Sequence, residues 1–360
     1  MDEFFKKVLK FSALINSSLE FEEIRRRSIE AIMELLNCEA ASLLFYDEEK
    51  EELYFDVALG EKAEKVKTIR LKLGQGIAGW VALHKEPLII NDVQNDPRFF
   101  KGADKKSGFT TRNMICVPVM VRNKLLGVIQ AINKRQGDFT EEDLELLTAL
   151  SHQIAVAIEN ARLYNELKET FFNVVFALAD TIEKRDPYTG GHTRRVMTYS
   201  VAIGEEMGLP KDQLELLKLS AILHDIGKIG IKDDVLLKQS RLTKEEYELI
   251  KKHTIFGEEI LKHIKQMKEV IPGVKYHHER PDGKGYPEGL KGDQIPLIAR
   301  IIAVADTFDA MVTDRPYRKG LSFETAIEEL KRCSGTQFDP KAVEAFIKVF
   351  KKRPEIFTKN

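Results

Sequence analysis

Residues 140–185 contain neither glycine nor proline, and this stretch constrains the chain more than any other. Glycine weakens a helix interior by about 1 kcal/mol and proline by about 3 kcal/mol, so a run this long without either predicts one continuous helix. Thr140 is placed to cap its start. Along it, Leu150, Ile154, Ala157, Ala161, Tyr164, Lys168, Phe171, Val175, Leu178 and Ile182 follow an alternating four-three spacing. That is the a/d seam of a coiled coil with one charged interruption, Lys168. Up to Phe171 the pattern predicts a parallel dimer connector, and beyond it a helix side packed on its own end of the chain.

A chain of 360 residues suits two globular units, each able to bury a core. The formal net charge of -1 leaves no basic excess to draw the chain to nucleic acid or an acidic membrane, so a phosphate-bearing ligand has to be held locally. Cys38, Cys116 and Cys333 are odd in number and widely spaced, which fits neither a disulfide framework nor a cysteine metal knuckle and points to a reducing cytoplasm. The first residues, MDEFFKKVLKFSALINSSLE, lack the apolar core of a signal peptide. No apolar run reaches the roughly 18 residues that a membrane span needs.

Residues 1–37 read as two amphipathic helices, with Phe4, Phe5, Val8 and Leu9 forming a packing or dimer face. From Ala40 the period shortens. ASLLFYDEEKEELYFDVAL reads as a hairpin turning in its acidic cluster, and MICVPVMVRNKLLGVIQAIN as a second turning at Arg122-Asn123. Between them Gly74, Gly76 and Gly79 match the spacing of a dinucleotide-binding loop, but no run of strand-helix-strand units surrounds them and the flanking sheet reads as largely antiparallel, so that function is rejected. GQGIAGWVA, NDVQNDPRF and NKRQGDFTEEDLELL together resemble a GAF domain, a sensory module with a six-stranded sheet and flanking helices. Some GAF domains bind cyclic nucleotides through an Asn-Lys-Phe-Asp-Glu signature. Asn133, Lys134, Phe139 and Asp143 fit it, whereas Leu144 stands in place of the glutamate, so cyclic-nucleotide binding by this half is not implied.

The second half reads as all-helical, with SAILHDIGK, KEEYELIKKHTIFGEEILKHI, IPLIARIIAVADTFDAM and PKAVEAFIKVF as separate elements. Six of the eight histidines fall in residues 192–278. A single helical histidine is commonly a surface or core residue, but this cluster accompanies two costly carboxylates. Asp225 closes the apolar run LSAILHDIGK, and Asp306 sits in a helix apolar nearly all round. One divalent metal approached by both carboxylates and by imidazoles would offset both burials.

His192, His224-Asp225 and Asp306 resemble the metal ligands of the HD phosphohydrolase superfamily, and HDIGK with HHERPDGKGYP is similar to its HD-GYP branch. The resemblance extends through RDPYTGGHTRRV, KKHTIFGEEIL, ADTFDAMVTDRPYR and GTQFDPKAVEAF. It implies a multidomain protein: an α/β GAF domain with its N-terminal helices (1–158), a linker within the long helix (159–171) and an all-α HD-GYP domain (172–360). It also implies hydrolysis of cyclic di-GMP to pGpG and on to GMP, modulated by the GAF half. His192, His224 and Asp306 would hold one metal and His253, His277 and His278 a second, with Asp225 bridging the pair. Glu183 would hold a third metal in some members, or is simply a helix-end charge, with Asp186 a helix-end cap.

Imidazole and carboxylate ligands suit iron, manganese or zinc, and the resemblance favours iron or manganese. Such a pair activates water for in-line attack at phosphorus. Lys228 would donate to a phosphate oxygen, Arg315 and Lys319 would hold the second phosphate or a guanine edge, and Tyr286 would line the base pocket. Adjacent imidazoles cannot both point inward from a regular helix, so Gly283, Gly285 and Pro287 are expected to shape an irregular wall. Two alternatives differ in class. One is another HD hydrolase acting on nucleotides or (p)ppGpp, weakened by the GYP segment. The other is a non-catalytic scaffold docking to a diguanylate cyclase through that loop, which the intact ligand set argues against.

Overall fold

The period-two alternation of the first half forms one six-stranded sheet in a computed structural model describing residues 3–15, 20–60, 65–185, 190–238, 240–314 and 319–357. The strands are β1 (Cys38–Asp47), β2 (Glu52–Leu59), β3 (Arg70–Lys72), β4 (Leu88–Ile90), β5 (Met114–Val121) and β6 (Lys124–Lys134). Their order is β3-β2-β1-β6-β5-β4, and every pairing is antiparallel. Both hairpins lie where the sequence puts them. Asp47 turns the first by accepting from Glu49 N (3.2 Å) and Lys50 N (3.1 Å), the local side-chain bonding that makes aspartate a turn former. In the second, Val121 pairs with Lys124, and Arg122 takes a positive φ of 53° as tight hairpins require.

Strand alternation sends neighbouring residues to two cores. Leu43, Val117 and Ile129 pack with Ile24, Ile29 and Ile32, whereas Leu44, Cys116 and Val128 pack with Ile77, Val81 and Val93 on the other face. The helices here are α1 (Glu3–Ile15), α2 (Phe21–Leu35), α3 (Gly76–His84), α4 (Lys101–Ser107) and the first part of α5 (Glu141–Glu183). On α1 the buried residues are Phe11 and Ile15, while Leu9 is 47% exposed, so the expected face containing Leu9 is rotated. For Phe4 and Phe5 only the helical backbone is described. Gly74 N donates to the carbonyl of Gly79 at the start of α3 (2.8 Å), closing the glycine motif on itself. The Asn-Lys-Phe-Asp residues form a latch: Lys134 pairs with Asp143 and lies over the Phe139 ring.

Helix α5 opens with Asp143 N donating to Thr140 Oγ1 (3.3 Å), while Asp143 Oδ2 accepts from Thr140 N (2.9 Å). Two units divide the chain, Met1–Lys168 and Glu169–Asn360, and α5 contributes to both. Its seam needs correcting. Leu150, Ile154, Ala157 and Ala161 are buried in the first unit's own core, so they are not available to a partner. Val175 and Ala179 are buried in the second unit. Of the expected seam, Tyr164, Phe171 and Leu178 stay exposed (41–57%), and Leu167 and Val174 (68% and 54%) join them with three-four spacing. A 3.6-residue helix drifts about 20° per heptad against a straight seam, so one row of letters does not stay on one face.

The second unit is helical: α6 (His192–Glu206), α7 (Lys211–Leu223), α8 (Asp233–Leu236), α9 (Lys244–Lys251), α10 (His253–Leu261), α11 (Ile271–Tyr276), α12 (Leu297–Val312), α13 (Phe323–Arg332) and α14 (Pro340–Lys352). Its core centres on Tyr199, Phe308, Phe346 and Phe357, all fully buried, with ring centroids 4.6 Å apart for Phe308–Phe346 and 4.9 Å for Tyr199–Phe357. The element expected as KEEYELIKKHTIFGEEILKHI is two helices. The last turn of α9 tightens to a three-residue bond, Lys252 N to Leu249 O (3.1 Å), and α10 restarts at His253. No helix among the described residues is long and apolar enough to cross a membrane.

Candidate metal centre

The apolar helix α7 ends at Leu223, and the chain turns through His224 and Asp225 into the 3-10 segment Ile226–Gly230. That segment crosses α10 closely enough that a Cβ on Gly227 would lie 1.9 Å from the carbonyl oxygen of His253 and 2.5 Å from Gly257 N. Only glycine permits this approach, and the approach carries Asp225 to His253. Helix α11 supplies the remaining pair by stopping at Tyr276, with His277 at its C-cap. His278 lies beyond the helix, and the two rings sit 4.1 Å apart.

Asp225 faces in two directions. Its Oδ2 lies 3.3 Å from His224 Nε2 and 3.8 Å from His192 Nε2, and its Oδ1 lies 3.6 Å from His253 Nε2. Asp306 Oδ1, from α12, is 3.4 Å from His192 Nε2 and 3.9 Å from His224 Nε2. Three overlapping ligand-like groups result: His192 with His224 and Asp306, His253 with His277 and His278, and, spanning these two, His224 with Asp225 and His277. The first is assembled from three separate helices or their ends, and the second from two.

The outward ring nitrogens fix the inward ones. Three imidazoles hydrogen-bond through Nδ1 to the carbonyl three residues earlier: His224 to Ala221 O (2.8 Å), His253 to Ile250 O (2.7 Å) and His277 to Val274 O (2.7 Å). A carbonyl only accepts, so each Nδ1 carries a proton, and Nε2 faces the centre, as a lone pair once the ring is neutral. His192 Nδ1 instead meets Asp309 Oδ2 (2.8 Å). Asp309 is 1% exposed and accepts from Arg195 Nε (2.6 Å) and Nη2 (3.0 Å). Burial resists its charge, but His192 and Arg195 hold its carboxyl below the usual range.

Protonation distinguishes the two groups. Burial opposes the His224 imidazolium, yet the Asp225 and Asp306 carboxylates outweigh it and push its pKa up to about 9. Burial lowers His253, takes His277 well below its ordinary value and lowers His278 to about 3. His253 Nε2 and His277 Nε2 nevertheless lie 3.4 Å apart, two neutral lone pairs facing one another. A cation between them satisfies both lone pairs. The residues therefore fit a divalent metal.

The sequence-derived residues differ in where they fall. Lys228 Nζ is 2.7 Å from Asp225 Oδ2, so it attends the bridging carboxylate. Tyr286 packs on His278 with ring centroids 4.8 Å apart. Glu183, at the last residue of α5, accepts from His192 N (2.8 Å) and Thr193 N (3.0 Å). It thereby supplies the N-terminal cap of α6 that Gly191 does not. Lys319 is exposed and does not line the cleft over the centre. Arg315 and Asp186 lie outside the described residues.

The wall formed by HHERPDGKGYP has a different logic from a ligand-approaching loop. A Cβ on Gly285 would lie 2.4 Å from Arg280 N and 2.5 Å from Glu279 Cα, so the glycine admits the loop's own backbone. Gly283 has φ +77°. Buried Glu279 ties the loop down by accepting from Glu288 N (2.7 Å), Gly289 N (2.9 Å) and Leu290 N (3.0 Å). Sequence reasoning passed over Glu279, Asp309 and Arg195. For Asp309 a signal existed, since it follows Asp306 by one turn in the same apolar helix and raises the same burial cost.

A cleft of about 1260 Å³ lies over the centre, lined among others by Lys228, Lys238, Arg241, Lys251, Arg280, Lys284, Tyr247 and Tyr286. Its cations suit a phosphate-bearing ligand, and its size exceeds that of a mononucleotide-sized pocket.

Comparison with known proteins identifies both domains. The HD domain model matches residues 177–342 and the GAF domain model residues 20–158. The chain thus carries a GAF domain followed by an HD domain. It is 42% identical over 201 residues to the cyclic di-GMP phosphodiesterase of Thermotoga maritima, covering 55% of this chain and 54% of that protein. It is 36% identical to 3'3'-cGAMP-specific phosphodiesterase 2 of Vibrio cholerae, over 58% of this chain and 41% of that one. To the cyclic di-GMP phosphodiesterase response regulator RpfG of Xanthomonas campestris it is 38% identical, over 54% and 53%. The chain spans about half the length of these curated relatives.

Proposed function

We propose that this chain is a metal-dependent phosphodiesterase that opens the ring of a cyclic dinucleotide, with cyclic di-GMP as substrate and pGpG, then GMP, as products. The observation that carries the reading is the division of Asp225, one oxygen toward His192 and His224 and the other toward His253, as a carboxylate shared by two cations requires. Iron or manganese, held by His192, His224 and Asp306 on one side and His253, His277 and His278 on the other, would supply the Lewis acidity and the activated water, with Glu183 available to a third ion. The chain's own groups do the rest. Backbone carbonyls and Asp309 keep the imidazoles oriented. Lys228 donates to a nonbridging phosphate oxygen as charge develops, and Tyr286 lines the base pocket; Lys319, exposed and away from the cleft lining, is given no role.

A second substrate reading has support of its own, because the Vibrio cholerae relative at 36% identity is named for 3'3'-cGAMP. One experiment addresses both: anaerobic purification with metal analysis, followed by assay of the same sample on cyclic di-GMP and 3'3'-cGAMP. About two metals per chain with turnover of cyclic di-GMP is expected. A metal-loaded sample inert toward both substrates would refute the reading.

The GAF half regulates in this account, and the functional unit is a parallel homodimer along the row Tyr164, Leu167, Phe171, Val174 and Leu178 rather than along the buried residues 150–161. Leu167→Glu places like charges across that seam. Light scattering should report a dimer for the wild type and a monomer for the variant, and a monomeric wild type would end the connector idea.

A further inference from the structure

Two phosphodiesters are present in a cyclic dinucleotide, and the centre described above acts on one. The other needs a cation in the same cleft. Of the six that line it among the described residues, three are already committed: Lys228 to Asp225 (2.7 Å), Lys238 to both oxygens of Glu246 (2.7 Å each), and Arg280 to Asp282 through Nε (3.0 Å) and Nη2 (2.7 Å). Arg241 and Lys284 are exposed on chain segments outside any helix.

Lys251 is different. It ends α9, two residues before the ligand His253, and its ammonium lies over two rings, Tyr247 at 4.9 Å and Tyr286 at 5.5 Å. Tyr286 in turn packs on His278, so the ammonium is registered to the metal centre through one aromatic layer. Cation–π contact holds it in place without neutralising it. Its carboxylate partner, Glu248 at 2.6 Å, is 66% exposed, and such a pair is weak enough to exchange for a phosphate.

We infer that Lys251 is a substrate-binding residue that holds the second, unreacting phosphodiester of a cyclic dinucleotide, with Tyr247 and Tyr286 fixing its ammonium beside the metal centre. The inference rests on the phosphodiesterase reading above. It explains why the tyrosine of the GYP segment and a lysine of α9 meet over the cleft, and it makes the site selective for substrates with two phosphates.

The test compares Lys251→Met and Lys251→Arg with wild type on cyclic di-GMP, which carries two phosphodiesters, and on bis(p-nitrophenyl) phosphate, which carries one. Lys251→Met should raise KM for cyclic di-GMP about tenfold or more with kcat near wild type. Metal content and hydrolysis of the single diester should not change, and Lys251→Arg should recover most of the loss. An unchanged KM, or an equal loss on both substrates, would overturn the clamp while leaving the phosphodiesterase reading intact. A wild-type protein that cleaves bis(p-nitrophenyl) phosphate but no cyclic dinucleotide would take down both.

Discussion

Two buried polar clusters, one in each unit, are handled in opposite ways. In the first, Asn133 is 1% exposed. It accepts from Arg112 N (2.8 Å) and donates to Glu39 Oε2 and Thr110 O (2.9 Å each). Gln130 likewise donates to Ser42 (2.8 Å). These groups close on one another and hold strands together. In the second unit His192, His224, His253 and His277 are as deeply buried; their outer nitrogens find protein partners, and the inner ones converge around the Asp225 and Asp306 carboxylates. Saturated networks stabilise a fold, whereas an unsaturated convergence marks where a ligand is required.

The sharpest way to break this contrast is Asp225→Ala. With the shared carboxylate gone, both groups lose a ligand, so turnover should fall by at least about 1,000-fold and metal content should drop. Full activity with two metals retained would end the two-metal account. Lys228→Ala should act on one side of the contrast only, keeping the metals while lowering kcat about a hundredfold; loss of metal from that variant would show it to be part of the binding site itself.

In the saturated network the corresponding change is Asn133→Ala. It strands three partners and puts alanine at φ +56°, and should cost about 2–4 kcal/mol. Calorimetry should show the first unit melting earlier with metal content unchanged. A fall in metal content would mean the two networks are coupled.

The smallest effect separates the two metal groups. His224, held protonated up to about 9, must lose its proton when a metal binds. Affinity at that group should therefore rise about tenfold per pH unit from 7 toward 9 and level off above. His253, His277 and His278 have lowered pKa values, so the second group gains nothing over that range. Metal titrations at several pH values should resolve one pH-dependent and one flat affinity; two parallel slopes would contradict the assignment of protons.

Much of this was legible in the letters because local rules carry far. Freedom from glycine and proline set the long helix, period two set the two hairpins, and the cost of burying Asp225 and Asp306 in apolar runs pointed to a cation. The ligand groups came from the resemblance, since no spacing brings His192 beside Asp306. Other features were illegible for a physical reason. Which row of α5 faces solvent depends on what packs against its other sides, and the residues 150–161, which the spacing favoured as seam, are core. The break at Lys252 lies beside the close approach of Gly227 to His253, a contact between segments 26 residues apart.

The sequence by itself determined the periodicities, the capping residues and the inventory of donors, because these depend on neighbours within a turn or a strand. Only the tertiary structure decided that Asp225 turns one oxygen to each histidine group, that Asp309 orients His192 from another helix, and that Lys251 meets Tyr286 over the cleft. Such pairings are made by packing residues far apart in the chain. Their geometry depends on how closely two backbones approach, here on a glycine with no Cβ, and a linear string does not specify that distance.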